Sequence, residues 1–376
     1  MVGRCTTTPA PRTTWEALVD ANGSVLPSQT PAWLDAVCAH GPWEDASRLY
    51  EGSDGAPLVL PLVRRRTLPR VLTSEFSMPS TWGAGGLVSA TPLRAEDVAA
   101  VVADLRNGRA LRTTVRPDFE QAPLWAAARA AGASELPEVH HVLDLDRDWD
   151  ALWAHFSKMA RKAIRKAEKE GVTVEPCHGP EAVLAFHRLY EGWIDRRARE
   201  RGIPLRIARR RGRANEPLDR LLTLSGSLGK AFTVWLARLG GVPVAAMITL
   251  VQGDVALAWR AASDRDVAGP VRANDLLHRH AIEHASLSGC RYYDMGESGG
   301  VESLMRFKAR FGATPREFAG YRFERVPVSA VTAPATALRH RVERLALGVA
   351  GRTGHQCRPP TATAAPVTSP TTTSPG

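Results

Sequence analysis

Lysine is scarce in this chain: six lysines (Lys158, Lys162, Lys166, Lys169, Lys230 and Lys308) stand against 43 arginines. A sequence that writes arginine almost wherever it needs a cation invites a chemical reason for lysine at an isolated position such as Lys308. A compact ammonium can project into a tight site and stabilise one developing charge, whereas a guanidinium is a planar fork. The alternative for Lys308 is a plain surface role on its helix. Cysteine is also sparse. Cys5, Cys38, Cys177, Cys290 and Cys357 are scattered without a C-x-x-C pair, which argues against a disulfide framework and against a structural zinc site. No run approaches the ~20 apolar residues of a membrane span, and the start MVGRCTTTPAPRTTWEA has no apolar signal-peptide core. The expected location is the cytoplasm.

What is present describes a globular chain. Hydrophobic residues make up 44% and charged residues 23%, the balance of a soluble fold, and the length allows two domains that each bury a core. A net charge of +10 predicts an anionic partner, whether nucleic acid, phosphorylated substrate or membrane surface. Solubility alone could produce that total, so its distribution along the chain carries more information.

After a flexible start over residues 1–14, the segments from Trp15 to about Leu145 predict a mixed α/β domain. SQTPAWLDAVCAHG reads as a helix capped by Ser28 or Thr30 with Pro31 in its first turn. APLVLPLVRRR reads as a strand, and PSTWGAGGLVSA as a Gly-rich loop that either cradles a ligand with backbone amides or simply turns. Asp97 to Arg106 and Pro123 to Ala131 read as helices, and HHVLDLD as a short strand. The segment from Asp148 to Gly171 then predicts one helix. Trp149, Leu152, Trp153, Phe156, Ala160, Ile164 and Ala167 fall on one side, and Lys158, Arg161, Lys162, Arg165 and Lys169 on the other. That cationic stripe is either a solvated face or a phosphate-binding one.

A strand VTVEP and a helix from Pro180 to Arg199 follow, and then a basic loop with nine arginines between Arg196 and Arg213, including Arg209, Arg210 and Arg211. Such a loop suits a polyanion, since each phosphate neutralised releases counterions. It has no interleaved aromatics, so base stacking is not indicated. KAFTVWLARL, VPVAAMITLV and VALAWRAASD alternate apolar residues around two tight turns and predict an antiparallel meander. The helix from Pro270 to Ser288 spells H-x-x-E-H at His280, Glu283 and His284, but without a third ligand the pattern is a weak metal signature. A strand from Arg291 to Met295, an acidic Gly-rich turn, the lysine helix from Val301 to Phe311 and a strand from Arg316 to Arg325 close the ordered part. Ala335 to Ala350 reads as one more short helix, and the Pro/Thr-rich end as disordered.

The pieces SQTPAWLDAV, PSTWGAGGLVSA, FSKMARKAIRKAEKEGVTVE, GKAFTVWLARLGGVPVAAM, WRAASD, ANDLLHRHAIEHASLSGCRYYDMGES and MRFKARFGA resemble, in order and spacing, the FemAB-type family of tandem GNAT-like proteins. That family includes the Fem aminoacyl-tRNA-dependent transferases that extend peptidoglycan cross-bridges. The resemblance covers roughly residues 25–325. It implies an α/β (α+β) fold of tandem GNAT-like domains over 15–145 and 146–328, each a mixed, mostly antiparallel sheet flanked by helices, with a tail from 329 to 376.

It also implies transfer of an acyl group onto an amine, with the catalytic F-K pair of the family's FKxxFG segment at Phe307 and Lys308. The ammonium would stabilise the oxyanion formed when the amine attacks an ester carbonyl. The group that takes the amine's proton stays open among Asp294, Glu297, Glu302 and the substrate's own phosphate or ester oxygen. Candidate substrate or tRNA contacts are Lys158, Arg161, Lys162, Arg165, Lys169, Arg209, Arg210, Arg211, Arg260 and Asn274. GNAT proteins that use acetyl-CoA carry R/Q-x-x-G-x-G/A before the helix that holds the pyrophosphate, and here that stretch is DVAGPVRANDLL. Pro270 removes an amide there and the glycine pair is missing, which favours aminoacyl-tRNA as the co-substrate over acetyl-CoA, with no other cofactor and no metal. The acceptor is a peptidoglycan precursor or a small amine or hydroxylamine. A non-catalytic RNA-binding module is a third reading.

Overall fold

The structure is a computed structural model and describes residues 5–66, 72–79, 82–128 and 133–327. The N-terminal half runs β1 (Cys5–Thr7), α1 (Arg12–Ala21), α2 (Pro31–Ala39), β2 (Trp43–Asp45), β3 (Arg48–Glu51), β4 (Pro57–Leu60) and β5 (Val63–Arg65). It continues with β6 (Ser74–Phe76), β7 (Val88–Ser89), α3 (Ala95–Arg106), β8 (Arg112–Val115), α4 (Ala122–Ala127) and β9 (Ser134–Asp144). The second half begins α5 (Trp149–His155), α6 (Lys158–Lys169), β10 (Val172–Cys177), α7 (Pro180–Glu200), α8 (Leu205–Asn215) and α9 (Leu218–Leu228). The meander β11 (Phe232–Leu239), β12 (Val242–Gln252) and β13 (Val255–Ser263) precedes α10 (Arg265–Ala268), α11 (Ala273–Leu287), β14 (Tyr292–Glu297), α12 (Glu302–Ala309) and β15 (Thr314–Glu324).

Local chemistry sets many of these boundaries. The Thr30 hydroxyl accepts the Trp33 amide at 3.3 Å, with Pro31 in the first turn of α2. The helix expected from Asp148 to Gly171 is instead two. Asp148 caps α5 by accepting the Ala151 amide at 2.8 Å, the chain turns at Phe156, and the Ser157 hydroxyl starts α6 by accepting the Ala160 amide at 3.1 Å. The turn lets Phe156 pack edge-on against Phe311, 5.2 Å between centroids, as well as against Trp149 and Trp153. The arginine-rich segment expected as a loop is helical, forming the end of α7 and most of α8. Forked ion pairs from Arg209 to Asp195 and from Arg213 to Glu191 tie α8 to α7 and offset the like-charge repulsion. The single strand expected at APLVLPLVRRR breaks at Pro61 into β4 and β5, because proline cannot donate to a ladder.

β4 and β5 enter different sheets. A four-stranded sheet has the order β1-β3-β4-β7, and an 11-stranded sheet has the order β10-β11-β12-β13-β14-β9-β15-β8-β6-β5-β2. The two parallel pairs among the described residues are β13 with β14 and β6 with β8. Strands of the two halves alternate: β9 lies between β14 and β15, and β15 lies between β9 and β8. The chain divides into Met1–Thr332 and Ala333–Gly376, and every described residue belongs to the first unit. The expected helix at Ala335 to Ala350 and the Pro/Thr-rich end lie outside the described residues.

Side chains alternate across β11. Phe232, Val234 and Leu236 join a core with α2, α7 and α9, while Trp235 and Ala237 join one with α5, α6 and α11. The meander is thus covered on both faces, and its far edge, β13, meets β14 where the two halves join.

Candidate functional site

β13 and β14 pair in parallel over Val255–Leu257 and Tyr292–Asp294 only. Beyond that point Trp259 is a bulge, since Ala258 pairs with Thr249 and Arg260 with the adjacent Ile248. The extra residue bends β13 away from β14. A cleft of about 420 Å³ opens there, lined by Ala258, Trp259 and Arg260 on one side and by Met295, Gly296 and Glu297 on the other. β9 contributes Glu138 and His140, and the Gly-rich loop contributes Gly83 and Ala84.

The loop reaches the cleft because of Gly83, which sits at φ 109°, and any Cβ there would come within 2.3 Å of the Ser28 Cβ. Behind it, the Ser28 hydroxyl donates to the Ala84 carbonyl and the Gln29 amide to the Gly85 carbonyl, both at 2.7 Å. An aromatic wall stands beside the loop. Trp259 packs against Trp33 and Trp82 at 5.0 and 5.2 Å between centroids. Arg260 lies over the Trp259 ring at 4.2 Å and donates to Glu216 at 2.6 Å. That carboxylate and ring fix the guanidinium at the cleft edge.

Lys308 of α12 is only 4% exposed. Its Nζ donates to the Gly296 carbonyl at 2.6 Å and to the Glu297 carbonyl at 2.9 Å, which pins the end of β14 that forms the cleft edge. Burial pulls its pKa down to about 8, and the carboxylates of Asp294 and Glu297 work against that shift. Two of its three protons are therefore committed to carbonyls of the cleft wall, and Lys308 stands behind that wall, not in the lining itself. Phe307 turns the other way, half-buried against His278 and Phe311 at 5.3 Å from each. His278 is half-buried among these rings, and its pKa falls to about 3, first through desolvation and then through the nearby Lys308 charge, so it packs as a neutral ring.

Asp294 is buried and reaches across to β9. One carboxylate oxygen is 2.8 Å from His140 Nδ1, and the other accepts the Gly296 amide at 2.7 Å. Sequence pattern does not single out His140, which stands in a stretch that reads simply as a strand. The doubled histidine of HHVLDLD is a trace of it, but only the pairing of β9 with β14 brings the imidazole to Asp294.

Of the predicted site residues, Glu297 and Arg260 line the cleft, and Lys308 and Asp294 stand behind its wall, bonded to the Gly296 and Glu297 backbone. Phe307 is packed away from it, and the rest lie outside the lining. Lys158, Lys162, Arg165, Lys166 and Lys169 are exposed on α6, and among the described residues none of these five has an ion-pair partner. Arg161 instead donates to the Trp153 and Ala154 carbonyls at the end of α5. Arg209, Arg210 and Arg211 are exposed on α8, Arg209 being paired with Asp195. Asn274 sits in the first turn of α11. Among the described residues no group of three or more His, Cys, Asp or Glu side chains gathers for a metal ion.

The meander and the bulged β13 splaying from its parallel neighbour β14 are the arrangement of a GNAT-type domain. A family model described as an Acetyltransferase (GNAT) domain matches residues 154–309. By its fold the chain is like solved structures that span most of its length. It is similar to FemX, with 14% identity, a TM-score of 0.64, and coverage of 86% of this chain and 98% of that one. The C-terminal DUF2156 domain of an Agrobacterium fabrum protein assigned as a lysylphosphatidylglycerol synthetase gives 13% identity, 87% and 95% coverage and a TM-score of 0.54. L-PGS from Bacillus licheniformis gives 14%, 88% and 97%, and 0.50. No curated protein matches the sequence.

Proposed function

We propose that this acyltransferase moves an aminoacyl group from an aminoacyl-tRNA onto the amine of an acceptor, a peptidoglycan precursor or a small amine or hydroxylamine. The observation that carries the reading is the cleft where β13 and β14 part, with the buried Lys308 ammonium fixed at its β14 edge. As an amine attacks the ester carbonyl, charge gathers on oxygen. An ammonium already desolvated and held needs no reorganisation to meet that charge, and one such donor contributes about 10²–10³ in rate. The remaining Nζ proton of Lys308 is assigned that role.

The start of α11 supports tRNA over CoA. Pro270 has no N–H, and the amides of Arg272, Asp275 and Leu276 donate internally, to Gly269 and Arg272 carbonyls. The Asp275 carboxylate, paired with Arg310 at 2.9 Å, stands in the first turn, where a pyrophosphate would meet its negative charge. The exposed cations of α6 offer a polyanion what this helix end does not.

The test is incubation of the protein with labelled aminoacyl-tRNAs and candidate amines, reading the products by mass. Transfer of an aminoacyl group to an amine is expected. Charged tRNAs that stay intact with every acceptor, together with micromolar binding of acetyl-CoA by calorimetry, would replace this reading with an N-acetyltransferase. Salt-dependent tRNA binding without turnover would replace it with an RNA-binding module.

A further inference from the structure

Adjacent residues of β9 face opposite ways. His141 lies beneath the sheet, its Nδ1 3.2 Å from the Ser298 hydroxyl, in the wall of an adjoining cavity that includes Val139 and shares Pro137 and Glu297 with the cleft. His140 faces the acyl-transfer cleft, held only through Nδ1 by the Asp294 carboxylate. A carboxylate partner accepts, so in the neutral imidazole Nδ1 carries the proton and Nε2 keeps its lone pair. Asp294 is itself fixed by the Gly296 amide, one residue from the carbonyl that Lys308 also grips. The acid, the base and the ammonium are thereby set against one turn of β14.

The geometry points to His140 as the proton acceptor of the transfer, with Asp294 as its positioning residue; the assignment rests on the acyl-transfer reading of the same cleft. When the acceptor amine attacks, a C–N bond forms and the carbonyl electron pair moves onto oxygen. His140 Nε2 takes the proton from the new ammonium. The intermediate then collapses, the C–O bond to the donor breaks, and the departing alkoxide takes the proton back from Nε2. Protons and electrons balance with no further reactant. Glu297 also lines the cleft, but it has no orienting partner comparable to the Asp294–His140 pairing.

The surroundings set the pH at which this base works. Burial opposes the charged imidazolium, but Asp294 and then Glu138 outweigh it, so the His140 pKa lies above the ordinary histidine value despite the Lys308 charge. Glu138 is in turn paired with Arg116 at 2.9 Å and repelled by Glu297, His141 stands next along β9, and the Phe318 ring packs edge-on at 5.1 Å.

The experiment uses the full chain, labelled aminoacyl-tRNA and an accepting amine found by the screen above. His140→Ala and His140→Asn should each lower kcat by about 10²–10⁴ with little change in KM for tRNA. Added imidazole should restore part of the His140→Ala rate. Asp294→Asn should lower kcat and move the acid limb of the profile to lower pH. In nitrogen-15 NMR the free protein should show His140 in the Nδ1–H form. His140 variants that transfer at the wild-type rate with an unchanged pH profile would overturn the base assignment alone. A wild-type protein that transfers nothing to any amine would overturn the reading beneath it, and an Nε2–H tautomer would remove the lone pair the proposal needs.

Discussion

Lys308 is set by competing effects on one side chain. Burial works against its charge, while two carbonyl hydrogen bonds and two nearby carboxylates favour it, leaving the pKa at about 8. Because the folded value lies below the unfolded one near 10.5, the fold disfavours the proton, so this group's contribution to stability improves as pH rises from about 8 toward 10.5. Lys308→Met keeps the stem but removes the donor. Its expected result is a fall in kcat of about 10²–10³ with tRNA affinity nearly unchanged, measured by steady-state transfer and filter binding. Equal losses of both would contradict the role. A second residue reports on stability alone. Gly253, in the β12–β13 turn, sits at φ 54°, and a Cβ there would fall 1.2 Å from the Gly23 carbonyl oxygen. Gly253→Ala should destabilise by more than about 1 kcal/mol, seen as a lower midpoint in chemical denaturation. Lys308 stood out in the sequence because it is chemically out of keeping with an arginine-rich chain, and the fold buries it behind the cleft wall. His140 did not stand out, since nothing within β9 marks one histidine of the pair over the other.

Among the elements, those specified by local chemistry were the readable ones. The meander announced itself through period-two alternation and two glycine-bearing turns, and α2 through Thr30 and Pro31. Two elements were misread for a shared reason, which is that their decisive partners are distant in sequence. The break between α5 and α6 is fixed by Phe156 meeting Phe311, and α8 is held by acids on α7. The exposed face of α6 is where tRNA affinity should reside. Replacing Lys162, Arg165 and Lys169 by glutamate should raise KM for aminoacyl-tRNA and leave kcat little changed. It should also flatten the log–log salt dependence of binding by roughly 0.9 for each phosphate no longer neutralised. An unchanged salt slope would place the polyanion elsewhere on the surface.

At the scale of the molecule, the site exists because strands from both halves share one sheet. β9 supplies the histidine from the N-terminal half, β14 supplies the aspartate and the carbonyls held by Lys308, and the Gly-rich loop closes the near side. This order was hidden in the sequence, since β15 inserts between β9 and β8 from far along the chain and no local pattern encodes such a pairing. The assembly makes a pH prediction that neither residue makes alone. In the proposed reaction, transfer needs neutral His140, whose pKa is raised, and protonated Lys308, whose pKa is near 8. The kcat profile should therefore be a narrow bell, its acid limb above the ordinary histidine range and its alkaline limb near 8. A rate that climbs steadily past pH 9 would show that no protonated lysine is required.

The most direct measurement is a single-turnover reaction of the full chain with an aminoacyl-tRNA pool and an amine mixture, followed by mass spectrometry. The account predicts an amide joining an aminoacyl group to one amine, formed by the wild type and slowed at least a hundredfold in Lys308→Met. An amide formed as fast by Lys308→Met, or none formed from any charged tRNA, would contradict it.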